Sequence, residues 1–468
     1  MKLISDSSIL RLKIKNRPGM LAKVTAAIGY VKGDIGSINI VSVSKDYVVR
    51  DISVFIKNEA HLEKIIKALK LLEEKGVAQL VKVYDDVRRV HEQGKITLQN
   101  KLDIRNFEDL SRVYTPGVAK ICRAIVEDPS KASDYTIISS SVAIVTDGSA
   151  VLGLGNIGPL AAMPVMEGKA MLFKKFAGVN AFPLLINSQD ADEIVKTVKL
   201  VAPTYGGINL EDIASPRCFE IEERLSEELD IPVFHDDQHG TAVVVLAGLI
   251  NALKVVQKDI ANIKVLINGT GAAGTAIARL LIEAGATDIV MCDRAGAIYR
   301  GREEHMDDHK RRLAEITNEE RVKGHLSKVI GGRDVFVGVS VAGALKKEMV
   351  KRMAPDPIIF ALANPIPEIL PEEVEGVARV IATGRSDYTN QINNVLCFPG
   401  IFKGALSIQA RKINTAMKLA AAEAIAGMIS TEHLSEDYII PSVFHPGVAE
   451  AVAENVIRAA IRTGVAPI

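Results

Sequence analysis

The stretch IKVLINGTGAAGTAIARLL, residues 263–281, decides the fold of the C-terminal half of the chain. It joins an apolar strand, residues 263–267, to a helix through a GxGxxG turn, and Asp293 follows about 20 residues later at the end of a second apolar run. The glycines of such a turn let the backbone approach a pyrophosphate at the helix N-terminus. We therefore predict an α/β, Rossmann-type doubly wound domain whose cofactor-binding residues are Gly269, Thr270, Gly271, Ala272, Ala273, Gly274 and Asp293.

The composition of the 468-residue chain excludes several classes of protein. Lys+Arg and Asp+Glu both number 57, so no overall basic charge is available for nucleic acid. The four cysteines are scattered without a CxxC pair, which predicts neither a disulfide framework nor a zinc site. The N-terminus lacks the pattern of a signal peptide, and the longest apolar run, residues 241–253, is broken by Asn251. We expect a cytoplasmic protein that binds neither nucleic acid nor membrane.

Residues 9–83 form a self-contained pattern of strands and helices. Leu10, Leu12 and Ile14 alternate with basic residues, as in a half-buried strand. Apolar residues at helical spacing follow and predict a first helix. Two β-rich runs, a second helix and a last strand at residues 77–83 come after it. The order βαββαβ predicts a ferredoxin-like sandwich.

This N-terminal stretch resembles an ACT domain. The resemblance is carried by the turn NRPGML, residues 16–21, and by the break at residues 33–36. It implies a regulatory module that binds an amino-acid effector between paired modules. The Pro-Gly turn leaves backbone N–H groups free at the start of a helix, where a ligand carboxylate would bind. A pairing domain that binds nothing stays open as the alternative.

Two acidic pairs, Glu211-Asp212 and Asp236-Asp237, lie on either side of an amphipathic segment. The second pair closes a short apolar strand, residues 231–234, and a long apolar helix follows it. Carboxylates at such positions can converge, and oxygen ligands suit a hard cation such as Mg²⁺ or Mn²⁺. The alternative is that these acids are solvated surface residues.

A nicotinamide site beside a divalent-metal site limits the chemistry. The metal can chelate a 2-hydroxy acid through its hydroxyl and carboxylate and polarise the developing ketone. A base removes the hydroxyl proton while hydride leaves C2. If the product is a β-keto acid, the same metal helps it to lose CO₂.

Residues from about 90 to 468 resemble a malic enzyme of the small prokaryotic type. The motifs are VYTPGVA (113–119), EGKAMLFKKFAGV (167–179), INLEDI (208–213), PVFHDDQHGTA (232–242), ALANPIPE (361–368) and NNVLCFPG (393–400). The resemblance implies metal-dependent oxidative decarboxylation of (S)-malate to pyruvate and CO₂ with reduction of NAD(P). Two alternatives stay open, which are a malolactic-type reaction yielding lactate and a catalytically inactive protein that senses an amino acid or nucleotide.

The resemblance also implies roles for single residues. Lys169 matches the general base that takes the malate hydroxyl proton, and Tyr114 matches the acid that protonates enolpyruvate. Asp236 matches the acid that holds Lys169, while Asn364 and Asn394 match amides near substrate and nicotinamide. The implied metal ligands are Glu211, Asp212 and Asp237. Because an exposed lysine has a pKa of about 10.4, we expect a nearby cation to depress the pKa of Lys169.

One departure from the family concerns the substrate carboxylate. Larger malic enzymes carry an arginine before the LGLG run that clamps it, and this chain has Ala150 there. Backbone N–H groups near Gly117, or another basic residue, must then hold the second carboxylate of malate.

The choice of cofactor rests on Asp293. An acid at this position bonds a ribose 2′-OH and repels a 2′-phosphate, which favours NAD. Three arginines follow it closely in the sequence and can weaken or reverse this preference for NAD, namely Arg294, Arg300 and Arg302. We expect NAD, with NADP left open.

The expected domains are an ACT-like domain over residues 1–86, a substrate and metal domain over 87–238 and the dinucleotide domain with C-terminal helices over 239–468. The resemblance implies a homodimer or a higher homo-oligomer. The last two helices are predicted over residues 406–429 and 446–462.

Overall fold

The computed structural model describes residues 7–466, and the chain divides into two compact units between Lys95 and Ile96. The second unit contains both the expected substrate domain and the expected dinucleotide domain, so their boundary at residue 238 stays a prediction.

The first unit is a four-stranded antiparallel sheet with two main helices, in the predicted order. Its elements are β1 (Ser7–Lys15), α1 (Met20–Tyr30), β2 (Asp34–Val43), β3 (Tyr47–Phe55), α2 (Glu59–Glu74), β4 (Ala78–Asp85) and a short helix α3 (Asp86–His91). The strands lie in the order β2-β3-β1-β4, and β1 alternates buried with half-buried residues. The ferredoxin-like prediction is confirmed.

The second unit begins with short helices and a four-stranded parallel sheet in the order β6-β5-β7-β8. The elements are α4 (Phe107–Val113), α5 (Val118–Glu127), α6 (Lys131–Tyr135), β5 (Ser141–Thr146), α7 (Pro159–Ala177), β6 (Asn180–Leu185), α8 (Ala191–Val201), β7 (Gly207–Leu210), α9 (Arg217–Glu228) and β8 (Val233–His235). The carboxyl ends of parallel strands meet at one edge, so the acidic pairs that follow β7 and β8 are brought to the same place.

A π-helical turn, Asp236–Gly240, leads into the long apolar helix α10 (Thr241–Val256). Among residues 7–466, this continuous segment is the one helix with the length and composition to cross a membrane. It lies in the core, where Asn251 donates hydrogen bonds of 2.9 and 3.0 Å to the carbonyls of Ala426 and Ile439. Its apolar character is accounted for by packing inside the protein.

The third sheet has the order β11-β10-β9-β12-β13-β14 and is parallel except for the short β11. Its elements are β9 (Lys264–Asn268), α11 (Ala272–Glu283), β10 (Asp288–Asp293), β11 (Gly296–Ala297), α12 (Asp308–Ile316), α13 (Leu326–Val329), β12 (Val335–Gly338), α14 (Lys347–Val350), β13 (Ile358–Ala361) and β14 (Val380–Thr383). The strand order reverses between β9 and β12, the position at which such sheets bind dinucleotides. The Rossmann-type prediction is confirmed.

Three helices close the chain, namely α15 (Phe398–Ser407), α16 (Thr415–Gly427) and α17 (Val448–Arg462). The prediction of one helix over residues 406–429 is wrong in its first part. The chain leaves the helix after Ser407, and Gln409 has a left-handed φ of 49°. Asn414 then caps α16 by accepting a 3.0 Å hydrogen bond from the Met417 N–H.

Candidate active site

The acids predicted to converge do so, and most of them are buried. Glu211 and Asp212 are 6% and 4% exposed, and Asp236 is fully buried. Lys169, on α7, donates a 3.0 Å hydrogen bond from Nζ to Glu211 Oε1 and a second to Asp236 Oδ2. The alternative that these pairs are solvated surface acids is therefore wrong.

Asp236 is the centre of this arrangement. Its Oδ2 also accepts a hydrogen bond from the Asn394 amide, so Lys169, Glu211, Asp236 and Asn394 form one group, called here the lysine cluster. The Lys169 ammonium lies 3.9 Å from the ring centroid of Phe398, which adds a cation–π contact. Asp236 and Asn394, 158 residues apart in the chain, thus meet as the resemblance implied for residues of one site.

The electrostatics of Lys169 differ from the expectation. Burial alone would lower the pKa of Lys169, but the carboxylates of Asp236 and Glu211 outweigh burial and raise that pKa above its ordinary value. The charges that act most strongly on Lys169 are negative, so the described side chains do not support the expected depression by a nearby cation, which stays a prediction. Burial in turn raises the pKa of Asp236 to about 8, against the lowering effect of Lys169.

The implied metal ligands are crowded carboxylates. Burial, and then the charges of Asp237 and Glu211, raise the pKa of Asp212 to about 9. The Asp212 N–H donates a 2.7 Å hydrogen bond to Asp237 Oδ2, which joins the two acidic pairs. Within residues 7–466, no three acidic, histidine or cysteine side chains already stand at metal-binding spacing. The hard oxygen donors and their mutual repulsion nevertheless fit a divalent cation.

The dinucleotide turn has the backbone that the motif predicts. Gly269 has a φ of 131°, and a Cβ at Gly274 would overlap the Gly269 carbonyl, so the turn needs glycine at both positions. Asp293 ends β10 as expected, but its carboxylate is already paired. Arg302 donates to both of its oxygens at 2.9 and 3.0 Å, and Lys310 donates to Oδ2 at 2.8 Å.

The other predicted residues make no side-chain hydrogen bond to the lysine cluster within the described residues. Asn364 follows β13 in a cis peptide with Pro365, and its amide makes a 3.4 Å contact to the Leu362 carbonyl. Tyr114 is 67% exposed and has no side-chain hydrogen bond to the lysine cluster within the described residues. Ala150 is exposed, and its N–H donates to the Asp212 carbonyl at 2.9 Å. The roles of Asn364 and Tyr114 stay predictions.

Sequence reasoning missed three supporting side chains. Asn209 donates a 2.8 Å hydrogen bond to Glu211 Oε2 and so orients that carboxylate. Glu222 accepts from the His235 N–H at 3.1 Å and pairs with His239 at 2.7 Å, which fixes both ends of the Asp236–Asp237 segment. The two histidines flank the acids in the HDDQH sequence, but the acidic helix α9 offers no signal that singles out Glu222.

Comparison with known proteins decides the family. Models for the ACT domain, for the malic enzyme N-terminal domain and for the malic enzyme NAD binding domain match residues 8–79, 91–226 and 238–461. An NAD-dependent malic enzyme of Geobacillus stearothermophilus is 56% identical over 98% of this chain and 95% of its own length. This chain belongs to the malic enzyme family.

Further relatives agree with the assignment. A bifunctional malic/malolactic enzyme of Bacillus subtilis is 60% identical over 80% of this chain and 92% of its own. The crystal structure of a malic enzyme from Pyrococcus horikoshii has a TM-score of 0.77 at 49% identity and covers 80% of this chain and 88% of its own. That of an NAD-dependent malic enzyme from Thermotoga maritima has a TM-score of 0.77 at 48% identity, with 80% and 99% covered. As a malic enzyme, the protein catalyses NAD(P)-dependent oxidative decarboxylation of malate.

Proposed function

We propose that this malic enzyme oxidises (S)-malate at the lysine cluster, with Lys169 as the general base. The supporting observation is that Lys169 Nζ is buried between Asp236 Oδ2 and Glu211 Oε1. A lysine held in this way has a fixed direction in which to accept the malate hydroxyl proton, and a carboxylate to which its own proton can pass. Asn394 holds Asp236 in place for that transfer.

The remaining chemical steps are assigned to other residues of the chain. The Gly269–Gly274 turn would hold the dinucleotide and Asn364 would contact its nicotinamide, which would supply the acceptor for the hydride from C2 of malate. The β-keto acid then loses CO₂, and Tyr114 protonates the enolpyruvate. Tyr114 is exposed in the described structure, so this role requires the segment around it to be placed against the site when substrate binds.

Glu211, Asp212 and Asp237 would hold the divalent cation, Mg²⁺ or Mn²⁺. When bound, the cation supplies Lewis-acid polarisation of the substrate hydroxyl, the ketone and the enolate. The chain's own contribution is to orient its donors, since Asn209 fixes Glu211 and the Asp212 N–H fixes Asp237. The support is the crowding of like charges described above, which a cation relieves.

We propose NAD as the preferred cofactor, with measurable use of NADP. The relative that matches nearly the whole chain is named NAD-dependent, while a 46% identical relative from Escherichia coli is named NADP-dependent. Arg302 and Lys310 offset the charge of Asp293, so its repulsion of a 2′-phosphate is weakened.

A malolactic-type reaction is the second candidate function. It is favoured by the name of the Bacillus subtilis relative, which is bifunctional. Malate with Mn²⁺ should be supplied to the full chain with NAD or NADP, with and without EDTA, and pyruvate, lactate and free reduced cofactor measured. EDTA-sensitive pyruvate with an equal amount of NADH is expected. Lactate without free NADH would support the second candidate, and no turnover with either cofactor would contradict both.

We further propose regulation by an amino acid at the ACT domain, and a homodimer or larger assembly. Residues of the α4–α6 region support the assembly, because none of these helices has a buried residue and large apolar side chains are exposed there. Phe107 is 90% exposed and Val126 is 83% exposed. Light scattering after size exclusion should give at least twice the mass of the chain, and a monomer would contradict the proposal.

A cytoplasmic location is also proposed. Cys218, Cys292 and Cys397 are buried free thiols, and Cys122 is an exposed one. Unpaired cysteines of this kind are typical of a reducing compartment. Fractionation of cells that express the chain at natural levels should recover it with cytoplasmic markers.

A further inference from the structure

A cavity of about 480 Å³ lies in the second unit, on a side of the π-helical turn lined by Gln238 and His239. Helices α11, α12 and α16 supply the rest of its wall. None of its lining residues belongs to the lysine cluster or to the Gly269–Gly274 turn. We call it the basic cavity because three of its lining residues are cationic.

Three cationic side chains line the basic cavity, one from each of the three helices. They are Arg279, Arg312 and Lys418, and the one acidic residue in the wall is Glu283, so the lining charges sum to 3 − 1 = +2. Within residues 7–466, none of the three cations makes a side-chain hydrogen bond or an ion pair. Lys418 is half-buried, and burial lowers its pKa against the raising effect of Glu222.

Gln238 provides a second and independent observation. Its side chain is 4% exposed, it lines the basic cavity, and its Nε2 has no hydrogen-bond partner among the described residues. A buried donor without an acceptor is costly, by about 1–3 kcal/mol, so such a group points to a ligand that accepts the hydrogen bond. The hydroxyl-bearing residues Thr275 and Thr415 are also in the wall.

An alternative explanation is that Arg279 and Arg312 are ordinary solvated arginines, since both are exposed. That explanation leaves the amide of the buried Gln238 without a hydrogen-bond partner, and it leaves Lys418 near the Glu222 carboxylate but without an ion pair. It also leaves unexplained why three helices each direct a cation to one cavity while α11 contributes the only acid of its lining.

We propose that the basic cavity binds a small dianion and acts as a regulatory site separate from the active site. A net charge of +2 matches two anionic groups, and guanidinium groups bind carboxylate and phosphate oxygens in pairs. The ligand is therefore a dicarboxylate or a phosphate, which share this chemistry. Gln238 and His239 belong to the same turn as Asp236 and Asp237, so an occupied cavity changes the malate saturation curve through that turn.

The test is isothermal titration of the full-length protein, saturated with NAD, with inorganic phosphate in one arm and succinate in the other. The variants are Arg279→Gln and Lys418→Met. The matched control is Arg411→Gln, which alters an exposed arginine outside the cavity that has no side-chain partner in the described part of the chain.

We expect at least one dianion to bind the wild type, one per chain, and each cavity variant to weaken that binding by about tenfold or more. The control variant should bind as the wild type does. Binding in only one arm identifies the ligand as phosphate or as dicarboxylate.

Two results would overturn the proposal, namely no binding in either arm or equal binding by all four proteins. Urea unfolding of Arg279→Gln separates a structural role from binding, because Arg279 is exposed and makes no side-chain hydrogen bond or ion pair within residues 7–466, so its loss should not lower stability. The titration needs no turnover, so its failure is distinct from a failure of the proposed reaction.

Discussion

Gly240→Ala is a sharp test of the lysine cluster, because it adds a single methyl group beside the carboxylate that holds Lys169. A Cβ at position 240 would overlap Asp236 Oδ1, and it would lie 2.8 Å from Asp236 Cγ and 3.3 Å from Asn394 Cβ. Carbon atoms in contact prefer separations of about 3.5–4.0 Å, so the carboxylate must move by roughly 1 Å.

The size of the effect follows from that displacement. A misplacement of about 1 Å in a catalytic group can reduce the rate about 10²-fold. Overpacking of a filled site costs about 1–3 kcal/mol in the free energy of unfolding. We therefore expect kcat for malate oxidation to fall about 10²-fold, with a smaller loss of stability.

The assay is initial-rate NADH formation at saturating malate, NAD and Mn²⁺, with urea unfolding of the same samples. Gly427→Ala is the matched control, since Gly427 ends α16 and a Cβ there meets no heavy atom within 4 Å. The control should keep wild-type activity. If Gly240→Ala also keeps it, the position of Asp236 does not govern the rate and the reasoning is refuted.

The other predictions concern the cofactor and the ACT domain. Asp293→Ala removes the carboxylate that pairs with Arg302 and Lys310, so the ratio of kcat/KM with NADP to that with NAD should rise; an unchanged ratio would remove Asp293 from cofactor selection. Arg302→Gln exposes the charge of Asp293 and should lower the same ratio, and a rise would show that Arg302 does not offset that charge. Titration with a panel of amino acids should reveal one that shifts the malate saturation curve, and a panel that neither binds nor alters kinetics would count against the effector.

The hydrophobic periodicity of the sequence was sufficient to predict most of the helices and strands. Each element buries one face, and this burial imposes the periodicity on neighbouring residues. The alternation of Leu10, Leu12 and Ile14 matches the alternating burial of β1, and the GxGxxG turn falls between β9 and α11. The long helix expected over residues 406–429 was wrong for a related reason. Ala410 and Ile413 are buried although they lie in the connection between two helices, and the burial of apolar residues alone does not distinguish a connection from a helix.

The active-site residues were predictable where the type of a residue alone indicates the chemistry that it can perform. Asn394 was placed near the site by resemblance, and its contact with Asp236 agrees with that placement. The pairing of charged side chains was not predictable, because it depends on distances between residues that are far apart in the sequence. Asp293 is paired with Lys310 as well as with Arg302, and Lys169 is surrounded by carboxylates, neither of which spacing in the chain reveals.

The central claim is that Lys169 takes the malate hydroxyl proton, and Lys169→Ala tests it by separating the two half-reactions. Decarboxylation of supplied oxaloacetate does not need that base, whereas malate oxidation does. We expect malate oxidation to fall by about 10²–10⁴-fold while oxaloacetate decarboxylation is partly retained. Lys175→Ala, an exposed lysine on the same helix, serves as the control and should retain both activities. Equal loss of both half-reactions in Lys169→Ala, in a protein that still binds NAD, would contradict the account.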